Sequence, residues 1–303
     1  MSDFRYFDLQ ANGYAGVDFN QDDLTGEALH HACERLQRDG SRVLATIITE
    51  DLERMCSRLR RLRALREQDP LAREVITGIH IEGPFISSTV GYNGAHARDA
   101  IRPADPASAA RLLDAAGGML RLFTLAPEQD PACHVTRFLT RQRVIVSAGH
   151  TNASVDQLRH AIDAGLSMFT HFGNGCPMLM HRHDNILQRA LHVREQLWIC
   201  FIADGVHVPF VALDNYLKLI GIDRSIIVTD AMAAAGNGPG RYTIGRWDVI
   251  VGDDLVARSP DGTHFLGAAI TMPESDQRLR SEILLTAHEV RRLCRENPSR
   301  ALD

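Results

Sequence analysis

The chain has 303 residues, 45% hydrophobic and 23% charged, with a formal net charge of −5 at pH 7. That balance is the one expected of an ordinary globular protein, and it argues against a disordered chain or a nucleic-acid binder, which would carry a basic stripe. Charges interrupt every apolar stretch before the length of a membrane span, and the N-terminus MSDFRYFDLQ shows no basic-then-apolar leader pattern, so a cytoplasmic protein with no membrane or nucleic-acid partner is expected.

In chain order, short β-branched or apolar runs occur at Tyr6–Gln10, Arg42–Thr49, Val75–Ile81, Leu120–Leu125, Val144–Ala148, Ser167–Thr170, Trp198–Ala203 and Ile226–Thr229. Stretches with helical spacing lie between them, as at Glu27–Arg38, Leu52–Arg66, Ser108–Ala116 and Val155–Ala164. This alternation builds parallel α/β sheets, and eight βα units predict a closed (β/α)8 TIM barrel. Asp39-Gly40, Gly117-Gly118 and Gly165 fall where those helices should stop. After the eighth run, Arg241–Arg258 alternates between turn signals at Gly238-Pro239-Gly240 and Gly252-Asp253-Asp254, which predicts an inserted β-hairpin, followed by a last helix at about Ser281–Glu296. No fixed-period repeat, low-complexity run or linker interrupts the pattern, so residues 1–303 read as a single hydrolase barrel domain. The six cysteines, Cys33, Cys56, Cys133, Cys176, Cys200 and Cys294, contain no CxxC pair and read mostly as small core hydrophobes.

Metal-competent side chains stand at or just after four of the predicted strand ends: Glu82 after GIHI, His150 after VIVSAG, His171 after MFT and Asp230 after SIIVT. Taken singly, a satisfied core histidine or an N-cap aspartate would look the same. Four on four strands, all directed to the barrel mouth where such enzymes place their sites, point to one centre. One Glu and two His supply the converging N and O ligands that a divalent cation needs while leaving a position for water. Amide hydrolysis also needs a group that takes the water proton and returns it to the departing nitrogen, a role that falls to Asp230.

The segments GIHIEGPF, VSAGHTNAS, THFGNGCP, ADGVHV and IVTDAMAAAG resemble, in order and spacing, the signature segments of the N-acetylglucosamine-6-phosphate deacetylases of the amidohydrolase superfamily. The resemblance runs from about Phe7 to Leu302 and implies Glu82, His150 and His171 as metal ligands and Asp230 as the catalytic aspartate. It further implies that His96, in GYNGAH, polarises the scissile carbonyl, and that Asn174, the Gly175 backbone, Arg182 and His207 hold the sugar and its phosphate. In a Gly-rich loop His96 could equally be a solvated residue, and Arg182, between His181 and His183, part of a surface patch.

Where many amidohydrolases have an HxH pair for a second metal, this chain reads Gln10-Ala11-Asn12, as some members of the deacetylase family do. Amides are poor ligands beside imidazole, so one divalent ion is expected, Zn2+ foremost, with Fe2+, Co2+ or Mn2+ also accepted by the set. Alternatively, Gln10 and Asn12 simply cap the barrel mouth. Family members usually have chain before the first strand and after the last helix that together forms a small β-sandwich; here Met1 and Asp303 leave a bare barrel, and a homodimer is expected by analogy. The family's usual Asn-Ala-Met reads Asn174-Gly175-Cys176, and a Ser-bearing loop reads Leu266-Gly267-Ala268-Ala269. The function implied is hydrolysis of the N-acetyl amide of an amino sugar, 6-phosphorylated. Hydrolysis of another small amide, such as an N-acyl amino acid or cyclic amide, and a non-catalytic sugar-phosphate-binding barrel are the alternatives, the second opposed by the presence of Asp230.

Overall fold

The computed structural model describes residues 4–303; Met1–Asp3, part of the segment scanned for a leader pattern, lie outside them. Eight parallel strands pair in chain order: β1 (Tyr6–Ala11), β2 (Ser41–Ile48), β3 (Ile76–Glu82), β4 (Leu120–Leu125), β5 (Ile145–Ala148), β6 (Leu166–Phe169), β7 (Trp198–Ile202) and β8 (Ser225–Val228). Each strand begins and ends within one residue of its predicted run. Helices return the chain between strands, among them Gly26–Arg38, Leu52–Gln68, Pro106–Ala116, Val155–Asp163 and Phe210–Ile220. Their starts follow from side-chain caps: the Thr25 hydroxyl accepts the Ala28 N–H, Asp51 accepts from Glu53 and Arg54, and Ser154 forms a capping box with Gln157. Gly40, Gly117 and Gly165, at the predicted stops, all have positive φ.

Alternation along the strands divides the core into two layers. Leu44 packs inside the barrel with Phe7, Leu9, Leu122, Met168 and Ile226, whereas its neighbours Val43 and Ala45 face the helices. Five of the cysteines are buried and Cys176 is half-buried, all unbridged. Among the described residues no helix is long and apolar enough to cross a membrane.

The seam between β1 and β8 is joined by an isolated bridge between Ala11 and Ala231 rather than by a regular ladder. There the Asn12 N–H donates to the Ala231 carbonyl at 2.7 Å. Asp8 adds a side-chain clasp: its buried carboxylate accepts the Thr229 N–H at 3.2 Å, the Thr229 hydroxyl, and the Gln10 N–H at 3.1 Å. Register shifts between Asp8 and Ala11. This bulge lets Leu9 stay inside the barrel while the adjacent Gln10 also turns inward at the mouth. Burial pushes the Asp8 carboxyl up to about 7, against the opposing hydrogen bonds from Thr229 and Gln10. A folded-state value above the unfolded one means stabilisation that is complete below about pH 4 and lost as pH rises through about 7. Relative to wild type, Asp8→Asn should therefore gain up to about 4 kcal/mol of unfolding free energy between pH 4 and pH 7. Urea melts across that range test it, and a difference flat with pH would show that Asp8 stays ionised in the fold.

Two expectations need correction. The insertion after β8 is a three-stranded antiparallel sheet, β9 (Gly240–Ile244), β10 (Trp247–Val251) and β11 (Ala257–Arg258). The hairpin turns at Gly245-Arg246, and the Gly252-Asp253-Asp254 signal leads into the third strand. The last helix is not one segment over Ser281–Glu296: Met272–Glu282 ends, Ala287–Arg291 begins afresh, a π-turn spans Arg292–Glu296, and Asn297–Leu302 finishes the chain. The apolar period runs on across the break and hides it. The break arises because Leu284 takes a left-handed backbone and the Thr286 hydroxyl caps the next helix with Glu289.

Candidate metal centre

Glu82 is the last residue of β3, while His150, His171 and Asp230 lie just past the ends of β5, β6 and β8. These three share an uncommon backbone, with φ of 51°, 31° and 52°. Left-handed conformations disfavour residues with a Cβ by about 1–2 kcal/mol, and their recurrence past the ends of three strands at one barrel mouth is the kind of stored strain found at functional sites.

The side chains converge. Glu82 Oε1 lies 3.1 Å from His150 Nε2 and 2.8 Å from His171 Nε2, and the two imidazole nitrogens are 3.1 Å apart. All three residues are buried. His150 Nδ1 is 2.8 Å from the Tyr92 carbonyl, which can only accept, so the ring proton sits on Nδ1 and the Nε2 lone pair faces the centre. Burial alone would raise Glu82, but the imidazoles of His150 and His171 beside it hold it well below the usual carboxylate range. Burial opposes charge on His171 too, yet Glu82 raises it above the usual imidazole value. This donor set fits a divalent cation: a buried carboxylate and two imidazole nitrogens aimed at one point, with a second-sphere carbonyl fixing a tautomer. Backbone packs tightly on His150, since a Cβ at Gly94 or Gly175 would stand 2.9 Å from its ring.

Asp230 stands beside the cluster. Its Oδ1 accepts from Gln10 Nε2 at 3.0 Å and Asn12 Nδ2 at 2.7 Å, and Gln10 also donates to Glu82 Oε1 at 3.2 Å. Burial, reinforced by the Glu82 charge, pushes the Asp230 carboxyl up to about 6. Gln10 and Asn12 thus do more than cap the mouth: they present amide donors to both carboxylates.

His96 is 4% exposed rather than solvated. Its Nδ1 accepts the Thr49 N–H at 3.3 Å, which leaves the proton on Nε2, 3.1 Å from His150 Nε2. Burial first, then His150, pushes it down to about 3, so it is a neutral hydrogen-bond donor.

The residues expected to hold substrate are gathered less closely. Asn174 follows His171 in a turn and its buried Nδ2 has no protein partner among the described residues. His207 is held by Asp204, Nδ1 to Oδ2 at 2.5 Å, with Asp204 also accepting the Val206 and His207 N–H groups. Arg182 is exposed and makes no hydrogen bond or ion pair among the described residues; the structure does not draw it to the cluster. Sequence reasoning missed the layer beneath the centre, where His80 Nε2 lies 2.8 Å from the Thr124 hydroxyl and Thr170 links Thr124 and Ser147 at 2.7 and 2.6 Å. The signal was present, because His80 shares the inward parity of Glu82 on β3.

No protein-family model matches the chain. It is 31% identical to the N-acetylglucosamine-6-phosphate deacetylase of Bacillus subtilis (strain 168) over 97% of this chain and 74% of that protein. To the N-acetylgalactosamine-6-phosphate deacetylase of Escherichia coli O157:H7 it is 34% identical, over 79% of this chain and 62% of that one. The crystal structure of N-acetylglucosamine-6-phosphate deacetylase from Pasteurella multocida superposes with a TM-score of 0.86 at 32% identity, covering 98% of this chain and 76% of its own. Likeness in sequence and fold sustained over nearly the whole chain, together with the centre its strand ends assemble, places this protein in the N-acetylglucosamine-6-phosphate deacetylase family.

Proposed function

We propose that the chain, acting as one hydrolase domain, removes the acetyl group from a 6-phosphorylated N-acetyl amino sugar, N-acetylglucosamine 6-phosphate foremost, giving glucosamine 6-phosphate and acetate. The observation that carries this reading is a Glu82–His150–His171 donor set with Asp230 beside it, in a chain of this family. Glu82, His150 and His171 would hold one divalent ion, Zn2+ best suiting two imidazoles and a carboxylate. Such an ion supplies Lewis acidity, polarising the amide carbonyl and bringing the pKa of water at the site down to about 7. Asp230, raised to about 6, takes the proton of the attacking water as its oxygen bonds to the acetyl carbon. The same proton goes to the sugar nitrogen as the C–N bond breaks, so the products are the amine and acetate. His96 Nε2–H donates to the carbonyl oxygen on which negative charge develops. Gln10 and Asn12 keep Asp230 oriented, and His207, Asn174, the Gly175 backbone and Arg182 are assigned to the sugar and its phosphate.

Acetate release by the purified, Zn2+-loaded chain tests the reading. The panel is N-acetylglucosamine 6-phosphate, its galactose epimer, each sugar without phosphate, and an N-acetyl amino acid. The epimer belongs there because of the Escherichia coli relative. A phosphorylated sugar is expected to have a kcat/KM at least about 100-fold above its unphosphorylated form, the loss expected when a site's polar groups are left unpaired. Turnover of the amino-acid amide alone would sink the sugar assignment.

A further inference from the structure

The three-stranded insertion sends one side chain back to the barrel mouth. Arg246, in the turn between β9 and β10, donates from Nε to Glu50 Oε2 at 2.9 Å and from Nη2 to Glu50 Oε1. Its Nη1 donates to both oxygens of Asp99, at 2.9 and 3.0 Å. Glu50 is 2% exposed and also accepts the Asp51 N–H at 2.9 Å. Burial would raise Glu50, but Arg246 outweighs it and holds the carboxyl below its usual range. The two carboxylates flank one contact. Glu50 follows Thr49, whose N–H donates to His96 Nδ1, and Asp99 lies on the loop that carries His96. The turn is anchored independently of Arg246, since Gly245 N–H donates to buried Asp18 at 2.8 Å and Gln21 donates to the Gly245 carbonyl at 2.9 Å. Ala95, next to His96, packs on the insertion's apolar face with Met232, Ile244 and Val249. A planar guanidinium fork that bridges two carboxylates fixes geometry in a way a point charge cannot.

Resting on the deacetylase reading above, we propose that Arg246 is a positioning residue that acts through His96: by gripping Glu50 and Asp99 it keeps the Thr49 N–H on His96 Nδ1, and so keeps the Nε2–H of that ring directed at the scissile carbonyl. Its loss misplaces a donor rather than removing one. In the metal-loaded full chain, Arg246→Ala should lower kcat by roughly 10- to 100-fold, with KM changed by less than about threefold because ground-state binding is spared. Arg246→Lys should not restore the rate, since an ammonium cannot bridge both carboxylates, whereas added guanidinium should restore part of it in Arg246→Ala. Adding Arg246→Ala to a His96→Asn background should cause no further loss. Ring 15N spectra, read with and without metal, should show His96 as the Nε2–H tautomer in wild type and a displaced Nδ1 signal in Arg246→Ala. The same loss of rate in the His96→Asn background, or unmoved His96 ring signals, would overturn the proposal. A fully active His96→Asn would instead remove the role given to His96, and with it the catalytic part of this proposal. If wild type turned over no sugar phosphate, the deacetylase reading would fail, and the ring signals would still decide whether Arg246 positions His96.

Discussion

Asp230→Asn is expected to lower kcat/KM on N-acetylglucosamine 6-phosphate by about 10²- to 10⁴-fold, the span attributed to a positioned general acid–base group, while the chain stays folded and keeps its metal. The substitution is nearly isosteric, and an amide oxygen can still accept the Gln10 and Asn12 donors that hold the carboxylate at 3.0 and 2.7 Å. What it removes is a proton-carrying oxygen beside Glu82 and His171. Burial and the Glu82 charge set that carboxyl at about 6, close enough to neutrality both to take a proton from water and to release it to an amine. Metal content and melting temperature measured alongside the rate separate loss of the shuttle from loss of the site. A variant within tenfold of wild type would show that the proton travels by another route.

His150→Ala should abolish metal retention and turnover together. Its Nε2 lies 3.1 Å from both Glu82 Oε1 and His171 Nε2, so its loss leaves a two-residue set that cannot hold a divalent ion from three sides. Wild type dialysed against a chelator should lose activity and regain it with one equivalent of Zn2+ per chain. One equivalent is expected because Gln10 and Asn12 turn amide donors, not acceptors, toward Glu82 and Asp230. Metal at about 100 times its Kd should stabilise wild type by about 2.7 kcal/mol and leave His150→Ala unmoved. Activity indifferent to the chelator, or two tightly held ions per chain, would contradict this account of the centre.

The strands were legible because a parallel barrel strand is covered on both faces and reads as a short apolar run whatever lies elsewhere in the chain. Helix starts were legible for a similar reason, since Thr25, Asp51 and Ser154 cap donors within their own first turn. Chain order then places every strand end at the same mouth, so the positions of Glu82, His150, His171 and Asp230 in the sequence are enough to group them.

Other features depend on partners far along the chain. Parity on β1 directs Gln10 away from Leu9, and what brings both inward is a bulge pinned by Asp8 to Thr229, 221 residues away. His96 lies in a Gly-rich loop of the kind that is usually solvated; its burial and its tautomer come from Thr49 and His150. Arg246 meets Glu50 and Asp99 across 196 and 147 residues. Residue type and spacing therefore sufficed for the barrel, its caps and the four residues at the strand ends, all products of short-range pattern. Protonation states, the β1–β8 seam and the support of His96 were settled by contacts between distant segments, because hydrogen bonds and desolvation act through space and leave no periodic mark in the chain.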